Sequence, residues 1–344
     1  MERRRERAIG RVRGVLESSG FFVSDAHHIR PSSFDLLARR DSLLLIVKVL
    51  KNVDALDPAE AERLRDLGRL FPAVPLVIGE TSGATKLEAG VVYNRYGVPI
   101  LVEESLRDYL EEGLPPFLFS SPGGIFARIN GELLRSLREA RNLSLGALAG
   151  VAGVSRRTIQ LYEEGAGAEV DVVERIEQFL GEPVAQPIDI FRPPGPSKLA
   201  PAAKAPVDAS RRRRGKNPPE GAGGRAVPAS TGDPMRDGVF RQLGGMGWDV
   251  VVTLRCPFDA FSRGVTMPER EILLTAVGTL RSARHRAEVL NQLARVAEGH
   301  ALFVVRETLD RMSIDGLPLV TVTELRGHRD PGALVDLISE RENV

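Results

Sequence analysis

Residues 32–49 read SSFDLLARRDSLLLIVKV. Asp35 follows a Ser-Ser-Phe segment, a short apolar run leads to a turn at Arg40–Asp41, and a nearly unbroken apolar run then carries Lys48. Two apolar runs joined by polar turn residues predict a hairpin, and a run without alternation predicts a strand covered on both faces. Burying a carboxylate or an ammonium is costly unless each is paired. Asp35 and Lys48 therefore need either a functional site or a structural bond apiece.

The surrounding sequence is built in the same style twice. GFFVSDAHHIRPSSFDLLARRDSLLLIVKV aligns with GWDVVVTLRCPFDAFSRGVTMPEREILLTAVG, which has a longer hairpin. PAEAERLRDLGRLF aligns with RHRAEVLNQLARVA, VPLVIGET with ALFVVRET, and YNRYGVPILVEESLRDYL with SIDGLPLVTVTELRGHRDPGALVDLI. Each copy is expected to run α-β-β-β-α-β-β-α, an α/β sheet flanked by helices. Self-similarity at this distance suggests a duplication. The alignment sets Asp259 against Asp35, Thr275 against Ile46 and Val277 against Lys48.

Composition divides the 344 residues further. Residues 192–233 are rich in Pro, Gly, Ala and Ser, with nine basic against three acidic side chains and almost no large apolar ones. They predict a disordered basic linker. The run Arg211–Arg214 reads equally as a DNA-binding arm or as a solubilising tether. LPPFLFSSPGG, residues 114–124, is expected to punctuate a junction. The expected domains are an α/β domain at 1–118, an all-helical block at 125–190, the linker at 192–233 and a second α/β domain at 234–344.

A net charge of +1 gives the whole molecule no strong field. Apolar residues at 42% and charged residues at 27% are those of a globular chain. The N-terminus lacks the apolar segment of a signal peptide, and no apolar run approaches bilayer length, so a cytoplasmic, nucleoid-associated protein without membrane contact is expected. The single Cys256, set in LRCPFDAF, reads as a small buried hydrophobe. The five histidines form no ligand-like spacing, and neither a metal nor a cofactor is expected.

The helical block reads GELLRSLREARNLSLGALAGVAGVSRRTIQLYEEGAGAEVDVVERIEQFLG over residues 131–181. Its apolar positions, among them Leu134, Leu148, Ile159, Tyr162 and Ile176, mark four or five short helices. Ser144 and Ser155 stand where N-caps belong, Gly153 where a tight turn needs positive φ, and small Ala149 where Ile159 must approach closely. Two helices so joined make a helix-turn-helix. The stretch LREARNLSLGALAGVAGVSRRTIQLYEEG closely resembles the Cro/CI-type (XRE) helix-turn-helix of phage repressors.

That resemblance implies that the third helix enters the major groove of double-stranded DNA. It makes Arg156 and Arg157 base or phosphate contacts and Ser155 and Thr158 phosphate contacts, with Gln160 alongside and Ser144 at the start of the preceding helix. Leu161 departs from the usual polar residue there and is expected to pack on a neighbour or a thymine methyl. Six arginines face eight acids in the block, which weakens non-specific attraction to DNA.

The first copy resembles the PD-(D/E)xK nuclease fold. In active members of that family an Asp and the acid two residues before the Lys hold a divalent metal. Here Asp35 and Lys48 match, Ile46 stands where the second acid belongs, and Glu17 on the first helix could add a carboxylate at a distance. Both copies are expected to be catalytically inert, with Asp35 and Asp259 pinning strand turns.

The whole arrangement, two degenerate restriction-endonuclease-like α/β domains around a helix-turn-helix bundle, resembles the archaeal HTH-type transcriptional regulator family. It implies a non-enzymatic DNA-binding regulator, with a homodimer and the transcription machinery as further partners. Two other readings stay open: a metal-dependent nucleic-acid-processing enzyme using Asp35, Lys48 and Glu17, and a helix-turn-helix that bridges proteins.

Overall fold

The computed structural model describes residues 2–25, 32–192, 230–264, 271–306 and 309–342. Most of the expected linker, with Arg211–Arg214, lies outside the described residues, as do His27, His28 and the longer hairpin loop at 265–270.

The N-terminal copy runs α1 (Glu2–Ser18), β1 (Phe22–Asp25), β2 (Leu36–Arg40), β3 (Leu43–Asn52), α2 (Pro58–Leu70), β4 (Val74–Ser82), β5 (Thr85–Lys86), β6 (Val91–Arg95), β7 (Val98–Leu101) and α3 (Glu103–Glu111). There follow β8 (Leu118–Ser121), β9 (Gly124–Arg128), α4 (Gly131–Ala140), α5 (Leu145–Ala152), α6 (Arg156–Glu163), β10 (Gly167–Glu169) and α7 (Val170–Leu180). The C-terminal copy runs α8 (Pro234–Met246), β11 (Trp248–Val252), β12 (Ala260–Gly264), β13 (Ile272–Gly278), α9 (Leu280–Ala297), β14 (His300–Val305), β15 (Ser313–Ile314), β16 (Leu317–Thr321), α10 (Val322–Gly327) and α11 (Pro331–Glu342).

Both copies keep the main expected order, but the N-terminal copy adds the short β5, the C-terminal copy ends in two helices, α10 and α11, instead of one, and one addition is shared. The last strand of each is a hairpin, β6–β7 turning at Tyr96-Gly97 and β15–β16 at Asp315-Gly316. All four turn residues have positive φ, between 50° and 81°, as the two-residue turns that match strand twist require.

The chain divides into two compact units. One combines Glu6–Val49 and Glu62–Pro75 with the chain that follows the linker. Within it β1, β2 and β3 pair antiparallel, and the C-terminal sheet has the order β11-β12-β13-β14-β16-β15, parallel where β13, β14 and β16 meet. Its core gathers Phe240, Leu243 and Trp248 with Leu302, Val304, Leu334 and Ile338.

Within this unit the two copies exchange equivalent contacts. Arg39 on β2 donates its Nε to the carbonyl of Val296, in the last turn of α9, at 2.5 Å. Arg263, at the matching position of β12, donates to the carbonyl of Leu70, the last residue of α2. A helix leaves its final carbonyls unpaired and partly negative, so each arginine caps the other copy's helix. Phe71, just past α2, meets Phe258 and Phe261 edge-on, with ring centroids 5.9 and 4.8 Å away. The pattern, in which i touches j and its counterpart returns the contact, is that of an isologous pair made within one chain.

The C-terminal copy also holds a pH-sensitive pair. His300 Nδ1 lies 3.4 Å from Glu342 Oε1 on α11, and this hydrogen bond lifts the imidazole above its ordinary value of 6.5. Stabilisation from a raised pKa is fully present below the unfolded value and lost as pH rises through the folded one. Glu342→Gln should therefore lower the melting temperature at about pH 5 and leave it nearly unchanged at about pH 9.

The other unit combines Met1–Arg5 and Leu50–Ala61 with the chain from Leu76 up to the linker. Its strands follow the order β4-β7-β6-β8-β9-β10, with β5 on β4. Residues 118–121 of the expected junction are therefore a strand, parallel to β6. The block expected to be helical throughout carries β9 and β10, antiparallel over Gly167–Glu169. Close approach explains the position of β10, since a Cβ on Gly167 would lie 2.4 Å from the Phe119 ring. Backbone bonds from Asn130 N–H to Val184 O and from Ile188 N–H to Pro116 O tie the end of the helical block to this sheet.

Candidate nucleic-acid interface

The helical block is anchored by one face of each helix. Leu134, Leu148, Ala149, Ala152, Ile159, Tyr162 and Ile176 form a single buried cluster. Ser144 caps α5 by accepting from Ala147 N–H at 3.0 Å, and Ser155 caps α6 by accepting from Thr158 N–H at 3.1 Å. Gly153 ends α5 with φ of 70°, the left-handed conformation expected of it. Arg175 on α7 donates twice to the carbonyl of Ala152, at 2.9 and 3.1 Å, and so closes the C-terminus of α5.

These constraints leave the outer face of α6 to solvent. Arg156, Arg157 and Gln160 are exposed, whereas Ile159 and Tyr162 point inward; burial of its ring raises the Tyr162 hydroxyl pKa to about 12. Arg156 lies along the first turn of α5, its Cδ 3.5 Å from where a Cβ on Gly146 would stand. This brings Arg156 beside the cap at Ser144. The Ser155 and Thr158 hydroxyls are hydrogen-bonded to each other at 2.8 Å, and Gln160 Nε2 donates to Glu164 Oε1 at 3.3 Å. Leu161 is half-buried.

Charge counting alone missed a buried ion pair. Glu163, with a side chain 3% exposed, accepts from Arg138 Nε at 2.5 Å and from Arg135 Nε at 3.2 Å. Arg138 also donates to Leu143 O at 3.0 Å, and the Glu163 carboxylate holds its guanidinium pKa above the ordinary value. Three of the six arginines, Arg135, Arg138 and Arg175, are thus engaged inside the block. Arg141, Arg156 and Arg157 are the three that stand exposed without a structural bond of this kind.

The nuclease-like positions carry structural hydrogen bonds. Asp35 is buried; its N–H donates to Val47 O at 2.9 Å and its Oδ2 accepts from Val49 N–H at 2.8 Å. Asp259 repeats both bonds, with its N–H to Thr275 O and Val277 N–H to its Oδ2, each at 2.8 Å. Strand register agrees, pairing Leu36 with Val47 and Ala260 with Thr275. Thr275 therefore corresponds to Val47 and Val277 to Val49, one residue away from the alignment by sequence. The counterparts of Ile46 and Lys48 are Leu274 and Ala276.

Lys48 donates to the carbonyls of Ser32 and Ser33 at 3.3 and 3.2 Å. Glu17 is paired with Arg13 on its own helix at 2.8 Å. Arg286 and Arg236 flank the Asp259 carboxylate at 3.3 and 3.4 Å, a pairing that spacing did not reveal. A hard divalent cation needs several oxygen ligands. Buried Ile46 offers none, and among the described residues no three His, Cys, Asp or Glu side chains are grouped to hold a metal. These residues do not fit the metal centre of an active nuclease. Asp35→Ala should cost about 1–3 kcal/mol by leaving Val49 N–H unpaired, and Asp35→Asn less, because an amide oxygen still accepts. Denaturant unfolding of both variants checks the difference.

Comparison with known proteins agrees with this architecture. Residues 5–116 match the family model described as PD-(D/E)XK superfamily domain, and residues 131–186 that described as helix-turn-helix domain. A protein of Halorubrum lacusprofundi, named "Putative HTH-type transcriptional regulatory protein", is 34% identical over 97% of this chain and 96% of its own. Proteins of the same designation from Haloquadratum walsbyi and Methanocella arvoryzae are 35% and 33% identical, each over 98% of this chain and 97% of theirs. No solved structure matches the chain. With a nuclease-like domain, a helix-turn-helix and near-full-length likeness to these archaeal proteins, the chain belongs to their HTH-type family.

Proposed function

We propose that this protein is a non-enzymatic transcriptional regulator that binds double-stranded DNA through a Cro/CI-type helix-turn-helix. The observation that carries the reading is α6, with one face locked by Ile159 and Tyr162 and the other presenting Arg156, Arg157 and Gln160. An arginine at such a position grips guanine O6 and N7 as a fork and discriminates against a wrong base by about 1–3 kcal/mol. Ser144, Ser155 and Thr158, at the starts of α5 and α6, are the phosphate-side contacts. The names of the relatives support the same role.

In this reading the working division is 1–118, 125–190, 192–233 and 234–344, and the protein acts in the cytoplasm at the nucleoid. The exchange of Arg39 and Arg263 between the two α/β copies makes them a structural platform. If two copies of the chain bind as a dimer, their half-sites lie about 34–36 Å apart. Selection of bound duplexes from a random pool, followed by footprinting, tests the reading: enrichment of one motif is expected, and an unenriched pool overturns it.

The match to a nuclease superfamily gives one specific reason to test for cleavage. Incubation of linear and branched DNA with magnesium or manganese should leave both intact. Cutting that disappears in Asp35→Asn would reverse the non-enzymatic assignment.

A further inference from the structure

In the unit that joins the two α/β copies, α2 and the strand β11 with its following turn enclose a pocket of about 300 Å³. Leu67 and Leu70 line it from the helix, Val252 and Cys256 from the other side, and Arg63 supplies a cation. That volume is at the small end of ligand sites, which are mostly apolar with a few placed polar groups.

The matching seam at α9 shows what is unusual here. Leu70 and Val296 are counterparts, because each receives the other copy's arginine. Counting back one helix face, Arg63 corresponds to Val289, which is buried. An apolar side chain thus occupies one seam and an arginine the other. The Arg63 Nε is buried and has no hydrogen-bond partner among the described residues. Leaving such a donor unpaired is expensive, more so on a charged group.

No acid of the pocket meets that need. Asp66, the carboxylate in the lining, is ion-paired with Arg69 one turn along α2. Cys256 carries no negative charge either, since burial pushes its thiol up to about 12. Asp259, nearby in sequence, is held between Arg236 and Arg286. The pocket therefore combines an apolar lining with a half-buried arginine whose Nε has no partner among the described residues.

We propose that this pocket binds a small apolar carboxylate, a short-chain fatty or aromatic acid, with its carboxylate on Arg63 and its hydrocarbon against Leu67, Leu70 and Val252. Arg and carboxylate match as a two-pronged, charge-assisted pair. Binding there joins the two copies more firmly, because a ligand that binds only the folded state stabilises it. This goes beyond DNA recognition and stands or falls apart from it.

Two reporters are built in. Trp248, the only tryptophan, is on β11, and Cys256, the only cysteine, lines the pocket. Full-length protein is titrated with hexanoate, octanoate and benzoate, with octanol as the uncharged control, following Trp248 fluorescence and the rate of Cys256 alkylation. Saturable fluorescence change and slowed alkylation are expected with at least one acid and not with octanol, and Arg63→Gln should weaken binding by about tenfold or more. Absence of saturation with every acid, or an equal response to octanol, overturns the proposal. So does an unchanged affinity in folded Arg63→Gln. If that variant does not fold, the acid-against-alcohol comparison and Cys256 protection in the unaltered protein decide alone.

Discussion

Replacing Arg156 and Arg157 together by alanine is expected to abolish selective binding to duplex DNA while leaving the fold intact. Both side chains are exposed on α6, and neither belongs to the cluster that holds the block together. Each bidentate arginine accounts for about 1–3 kcal/mol of discrimination, so the pair is expected to cost roughly 30-fold to more than 10⁴-fold in affinity for the preferred site. The loss should be this large because Arg141 is the one other arginine of the block that is exposed without a structural bond, Arg135, Arg138 and Arg175 being engaged in structure. A titration of both proteins across several salt concentrations separates the two kinds of contact. Loss of a phosphate contact reduces the salt slope by about one per residue, whereas loss of a base contact removes the preference for the selected sequence. Unchanged affinity and slope would move the interface off α6, to the linker arginines or to a protein partner.

Glu163→Ala is expected to destabilise the helix-turn-helix by up to about 3–5 kcal/mol, because it strips the Arg138 guanidinium of its buried counter-charge and leaves it only the exposed Glu139, at 3.3 Å. Arg138 is 13% exposed in its side chain and Glu163 3%, and their closest contact is 2.5 Å. Replacing both partners by leucine should cost far less, since no orphaned charge remains. Amide exchange in α4 and α6 is a suitable readout, as the pair ties those two helices. Equal loss in the single and double variants would assign the effect to packing rather than to charge.

The paired arginines of the two α/β copies and the Arg138–Glu163 pair share a physical origin. In each, a cation satisfies an acceptor that the local chain cannot reach: a terminal helix carbonyl in the first case, a buried carboxylate in the second. Short-range pattern marks where such acceptors arise but not which cation arrives. Arg39 and Val296 are 257 residues apart.

Strand register illustrates the same limit. LLLIVKV and ILLTAVG are both nearly continuous apolar runs, so sliding one past the other by a residue leaves the hydrophobic match as good as before. The slip nevertheless changes which face every side chain occupies. Hydrogen bonding by Asp35 and Asp259 to Val49 and Val277 resolves it, making Ala276 the counterpart of Lys48. The short strand β10 was hidden for another reason: its three residues carry no alternation, and its place depends on Gly167 fitting under Phe119.

The amino-acid sequence by itself determined the main order of helices and strands in both α/β copies, apart from the terminal hairpins, β5 and the split of the last helix into α10 and α11, together with the caps at Ser144 and Ser155, the left-handed Gly153 and the missing second carboxylate at Ile46. Each of these depends on residue type at short, periodic spacing, where backbone geometry and burial act over a few residues. The tertiary structure alone decided the pairing of the two copies through Arg39 and Arg263, the burial of Glu163, and the orphaned Arg63 in its pocket. Those features depend on which distant segments meet, a choice made by the sum of packing over the whole core rather than by any local preference.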